Sequence, residues 1–92
     1  MEIDNEDQYE VKGPDAHAFG KVVQNGFLVF AGGTARKEIA TSGFKSVSVV
    51  HKRLIDDGVL VEKDGELKFT RDHVFDSPSG AAAAVLGRTA NG

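Results

Sequence analysis

The sequence predicts an α+β fold: a mostly antiparallel sheet of two hairpins plus short strands, packed with one central helix and a short Ala-rich C-terminal helix. Three observations predict it. Two β-rich stretches, HAFGKVVQNGFLVFAGG and VLVEKDGELKFT, are each interrupted by a dipeptide suited to a tight turn, Asn25-Gly26 and Asp64-Gly65. Between them, FKSVSVVHKRLIDDG carries Val47, Val50 and Leu54 at helical spacing. At the end, SPSGAAAAVLGRTANG sets four alanines between a proline-marked start and a glycine.

Taken in order, the acidic stretch 1–8 reads as a flexible tail and 9–92 as one small domain. QYEVKG alternates Tyr9 and Val11 with charged neighbours, the period of a half-buried strand, and Gly13-Pro14 stops it. For the first hairpin, a two-residue loop at Asn25-Gly26 sets Gln24 opposite Phe27, Val23 opposite Leu28 and Lys21 opposite Phe30. That register puts apolar groups on both faces, so a helix is expected over one and a partner or loop over the other. Thr34 in GGTARKEIATSG offers an N-cap for a short turn of helix ending near Ser42-Gly43.

The central helix is expected over 44–57, with Phe44 one turn before Val47 on the apolar stripe and Gly58 as the left-handed exit. Its valines weaken it by a few tenths of a kcal/mol each (about 0.5), so packing has to hold it. In the second hairpin Leu60 faces Phe69 and Glu62 faces Leu67; the inward side is then Leu60, Leu67 and Phe69, with Val59, Val61 and Lys68 outward. HVF adds a short strand. Ser77 as N-cap, Pro78 at N1 and Gly87 past the end bound the last helix. So short a helix is marginal alone, and its alanines suit close docking on a sheet or a second helix.

The chain has 92 residues, no cysteine and a net charge of −3. A domain of this size buries only roughly 60 to 65% of its unfolded surface, so one small core must hold it without disulfide or thiolate-bound zinc. The absence of cysteine suits a reducing, cytoplasmic setting, no apolar run is long enough to span a membrane, and the acidic start is unlike a signal peptide. Glu2, Asp4, Glu6 and Asp7 carry the acidity, leaving +1 over 8–92. Within that body, 36–53 is +4 and 54–76 is −4.

No catalytic constellation is present. His17, His51 and His73 are not spaced as metal ligands and read as surface or packing residues. AGGTARK lacks the spacing of a phosphate-binding P-loop, and Ser77 and Ser79 lie outside any nucleophile elbow. No enzyme activity, cofactor or metal is expected. The helix followed by a hairpin is similar to a winged helix, but the acidic EKDGEL wing and the single long helix before it argue against groove reading.

GTARKE, LIDDGVLV, FTRDHVFDSPSGAAAAVLGRTANG and the opening YEVKG together resemble the family known as domain of unknown function 4357, from about Tyr9 to Gly92. That family often stands at the carboxyl end of GIY-YIG nuclease-type proteins, and similar segments accompany restriction and modification enzymes. The resemblance implies work beside DNA as an auxiliary domain; this chain itself lacks the GIY and YIG tripeptides. Arg36, Lys37, Lys45, Lys52, Arg53 and Arg88 are the residues expected to meet a DNA or RNA backbone. The alternative is a protein-interaction or self-association module, suggested by the two-sided hairpin and the small-residue helix.

Overall fold

The computed structural model describes residues 8–88, so the acidic segment 1–7 and the closing Thr89 to Gly92 lie outside the described residues. Strands β1 (Gln8–Gly13), β2 (Ala16–Val23), β3 (Gly26–Val29) and β4 (Thr34–Ala35) come first. A 3₁₀ turn (Thr41–Gly43) then leads into α1 (Phe44–Asp56). After it come β5 (Leu60–Lys63), β6 (Glu66–Phe69), β7 (His73–Phe75) and α2 (Pro78–Leu86). All seven strands join one antiparallel sheet that curls as a half-barrel in the order β5-β6-β4-β2-β3-β7, with β1 on the far edge of β2. The α+β architecture read from the sequence is the one observed.

Alternation along β2 sets up the whole domain. Ala16, Ala18 and Gly20 face inward and are buried, while His17 and Phe19 between them are exposed. An inner face of alanine and glycine is nearly flat, and α2 lies on it with Ala81, Ala84 and Val85 fully enclosed. Side chains this small let the helix backbone come close to the sheet, which restores the dispersion contacts that their size forgoes. The four-alanine segment therefore has the docking role its composition implies. Ser77 accepts from the Gly80 amide (3.0 Å), Pro78 opens the helix and Gly87 ends it at φ +73°, as their order in the sequence predicts.

The carboxyl end of α2 is unusually well satisfied. The last carbonyls of a helix have no partner within it. Here the Gly87 amide donates to Ala83 (2.9 Å), His51 Nε2 to Ala84 (2.7 Å), the Arg36 amide to Val85 (2.8 Å) and the Ala40 amide to Gly87 (2.7 Å). This ladder corrects the expectation of a helical turn from Thr34. Thr34–Ala35 is a short strand between β2 and β6, and the chain from Arg36 to Ala40 stays irregular, with the amides at its two ends, Arg36 and Ala40, spent on α2.

The first hairpin also departs from expectation. Val23 pairs with Gly26 and Val22 with Phe27, so the loop is Gln24-Asn25 and the register is displaced by two residues. Gly26 is taken into β3 where the end of the neighbouring strand β7 comes close: a Cβ there would sit 1.9 Å from the Phe75 carbonyl oxygen, at a φ of +147°. An even displacement keeps every residue on its expected face. Phe27 and Val29 point into the core, and Leu28 points out.

Helix α1 ends one residue earlier than expected and buries Val47, His51 and Leu54, with Val50 partly covered. Phe44, placed on the apolar stripe by spacing, is 57% exposed because α1 starts beyond the edge of the core. The second hairpin matches in full, with Leu60 opposite Phe69, Glu62 opposite Leu67, and Asp64 and Gly65 both at positive φ. Val59 alone is corrected: it is buried, since its amide bonds to the Leu54 carbonyl (2.8 Å) and turns the chain under the hairpin before β5 begins.

Candidate nucleic-acid interface

With both helices on the inner side, the opposite face of β1, β2 and β3 is left open among the described residues, and β2 dictates what it shows. Phe19 is 43% exposed there, and the His17 ring is tilted at 52° against it with centroids 4.9 Å apart. The Phe30 amide donates to the Phe19 carbonyl (2.9 Å), which continues the β2–β3 register and sets a second aromatic ring opposite Phe19. Around them, alternation and register place Lys12 beside His17, Lys21 beside Leu28, and Lys68 across Thr34. Glu10, directly across from Phe19, contacts the His17 imidazole, and Asp64 and Glu66 line the same shallow depression as Lys63 and Lys68.

The six basic residues singled out in the sequence sit on the other side of the molecule, on α1, on the irregular 36–40 segment and just past α2. Lys37 and Lys52 line one shallow groove of about 400 Å³ floored by Ile39, Ile55 and Leu67. Both have carboxylate partners: Lys37 pairs with Glu62 (2.5 Å) and Lys52 with Asp56 one turn on (3.1 Å). Arg36 reaches Glu38 (3.4 Å), and its Nε is buried without a partner. Lys45, Arg53 and Arg88 are exposed. Exposed pairs of this kind hold only about 0 to 1 kcal/mol each, yet a phosphate arriving at Lys37 or Lys52 meets a carboxylate already in place.

The sequence places apolar groups on both faces of this hairpin and leaves one of them to a partner or loop, but it does not single out Phe19 or the lysines around it. The signal for this face was the inverted strand AHAFGKVV, in which the small residues take the inward positions and the bulky ones the outward. Among the described residues, no three His, Cys, Asp or Glu side chains come together as a metal site requires, and no helix is long and apolar enough to cross a membrane.

His73 stands on the inner side of β7, edge-on to Phe75 (4.8 Å). Burial lowers its pKa below the ordinary 6.5, and the Arg71 charge lowers it further against the opposing pull of Asp57. The unfolded chain therefore takes up this proton first. Stability is intact above pH 6.5 and falls as pH drops from there through the lower folded value. Urea unfolding at about pH 7.5 and about pH 5.5 checks this: replacing His73 with Gln should shrink the stability difference between the two.

These features define a small α+β half-barrel domain with one helix sealed into its concave side and an aromatic, lysine-flanked sheet left open. The chain belongs to the domain of unknown function family DUF4357, whose family model matches residues 9–92. No curated protein and no solved structure matches it.

Proposed function

We propose that this domain is a noncatalytic auxiliary module that engages single-stranded nucleic acid, working beside an attached or partner enzyme of the GIY-YIG nuclease type. The observation that carries the binding half is the open face of β2, where Phe19, with the His17 ring tilted against it and Phe30 opposite, is exposed on the same face as Lys12, Lys21 and Lys68. Exposed rings on an antiparallel sheet suit the faces of unpaired bases, and nearby lysines suit the backbone that links them. The family resemblance supplies the enzyme half. Nothing in this reading asks for bond-making chemistry from the domain; its work is positioning and electrostatic attraction.

Fluorescence anisotropy with labelled oligothymidylate and a matched RNA, at low and at high salt, tests the proposal. Binding is expected at low salt and is expected to weaken as salt rises. Phe19→Ala is expected to reduce affinity roughly 10-fold, since one base-stacking ring is worth about 1 to 3 kcal/mol. Reversing Lys52 and Arg53 to glutamate should change affinity little, because they lie on α1, away from the open face. Absence of binding at low salt, or a Phe19→Ala protein that binds as well as the parent, refutes the reading. Loss of binding on reversing Lys52 and Arg53 alone moves the interface to α1.

A further inference from the structure

The outer edge of β1 carries a self-complementary pattern. β1 pairs with β2 and with no other strand among the described residues. Which of its backbone groups point outward follows from β2. The His17 amide donates to Thr34 Oγ1 (3.0 Å) and the Phe19 carbonyl accepts from the Phe30 amide (2.9 Å), so the odd-numbered residues of β2 turn their backbone groups toward β3 and β4. Ala16, Ala18 and Gly20 then turn theirs toward β1, where they meet Gly13, Val11 and Tyr9. The amides and carbonyls of Gln8, Glu10 and Lys12 are left facing outward, an edge unpaired among the described residues and of the kind that recruits another strand.

We infer that this edge pairs with the same edge of a second copy of the chain, antiparallel, about a two-fold axis between the two Val11 residues. Two conditions select that register. An antiparallel ladder must pair outward-facing residues with outward-facing residues, so Glu10 and Lys12 can meet only even-numbered residues of the other strand. Of the long registers allowed, one sets Glu10 against Glu10 of the second copy and another sets Lys12 against Lys12, both like-charge pairs. The register centred on Val11 sets each Glu10 opposite a Lys12, twice over by symmetry. It also places Tyr9 of each copy opposite Gly13 of the other, beside the Leu86 side chain that covers Gly13 on the inner side. Pro14, which has no amide to donate, lies just beyond the paired segment and ends the ladder. The interface is small, so the dimer is weak and concentration-dependent.

Sedimentation of the full chain from about 10 μM to about 1 mM should show its mass rising from the 9.8 kDa monomer toward twice that value. Glu10→Lys and Lys12→Glu each create two like-charge pairs and should hold the chain monomeric over the same range. The doubly exchanged protein restores opposite pairing and should dimerise again. A second, independent measurement uses the absence of cysteine: Val11→Cys introduces a single thiol at the symmetry axis. There a non-hydrogen-bonded antiparallel pair brings the Cα atoms to about 4.5 Å, within disulfide range. Mild oxidation should therefore give a covalent dimer, and Lys68→Cys, well away from β1, should not. A mass that stays monomeric throughout, a double exchange no better than the single changes, or a Val11→Cys protein that links no faster than the Lys68→Cys protein overturns the inference. The thiol result stands even if a charge variant fails to fold.

Discussion

Replacing Ala81 with leucine should unfold this domain or bring it close to unfolding, with a loss of about 3 kcal/mol or more. Ala81 is fully buried in the cluster that also holds Ala16, Ala18 and Ala35, all of them alanines for the same reason. The helix backbone and the sheet are held apart by single methyl groups. Three added carbons have no cavity to enter, because both opposing surfaces are built of residues that cannot rotate out of the way. Either α2 lifts off, exposing Val85 and undoing the contacts it makes with β1, β2, β3, β4 and β7, or the sheet opens beneath it. Small domains keep only about 5 kcal/mol in reserve, so an effect of this size takes most of it. Urea unfolding followed by circular dichroism measures the loss. Ala82→Leu, at a partly exposed position one residue on, provides the comparison and should cost far less. Equal stability in Ala81→Leu and the parent would show that the helix is not pressed against the sheet.

The same geometry shows how much could be read in advance. Both ends of α2, the Asp64-Gly65 hairpin and the span of α1 were legible because local residues specify them: a cap, a turn dipeptide, a helical stripe. Gly26 was misleading for an equally local reason. Asn25-Gly26 is a strong turn signal, but Gly26 is needed where the end of β7 lies against it in the sheet, and nothing nearby in the sequence announces that neighbour. Thr34 was misread because the amides that follow it serve α2, about fifty residues away. The place of Phe19 on the open sheet face was missed through a rule that usually holds. Apolar bulk is expected inward, and β2 reverses this because its inner partner is a polyalanine helix. Ala16-x-Ala18-x-Gly20 and Ala81 to Ala84 are two flat surfaces that fit each other, and recognising either one as an interface required seeing the other.

His51→Leu should destabilise the domain by about 1 to 3 kcal/mol, although leucine is apolar, similar in size and the more ordinary residue for a buried position. His51 is 4% exposed and its Nε2 donates to the Ala84 carbonyl at 2.7 Å. A carbonyl only accepts, so this nitrogen must carry hydrogen, and the ring acts as a side-chain cap reaching from α1 to the end of α2. Leucine fills the space but leaves that carbonyl buried without a donor, which costs its desolvation without any return. The neighbouring carbonyls keep their own donors from Arg36, Ala40 and Gly87, so the effect should be confined to the last turn of α2. Amide exchange separates this from a general loss of packing. In His51→Leu the amides of Gly87, Arg36 and Ala40, whose bonds close that turn, should exchange faster relative to those of β5 and β6. A uniform acceleration across all strands would instead mean that His51 matters only for its volume. Exchange unchanged at the helix end would show that the Ala84 carbonyl has no need of the imidazole.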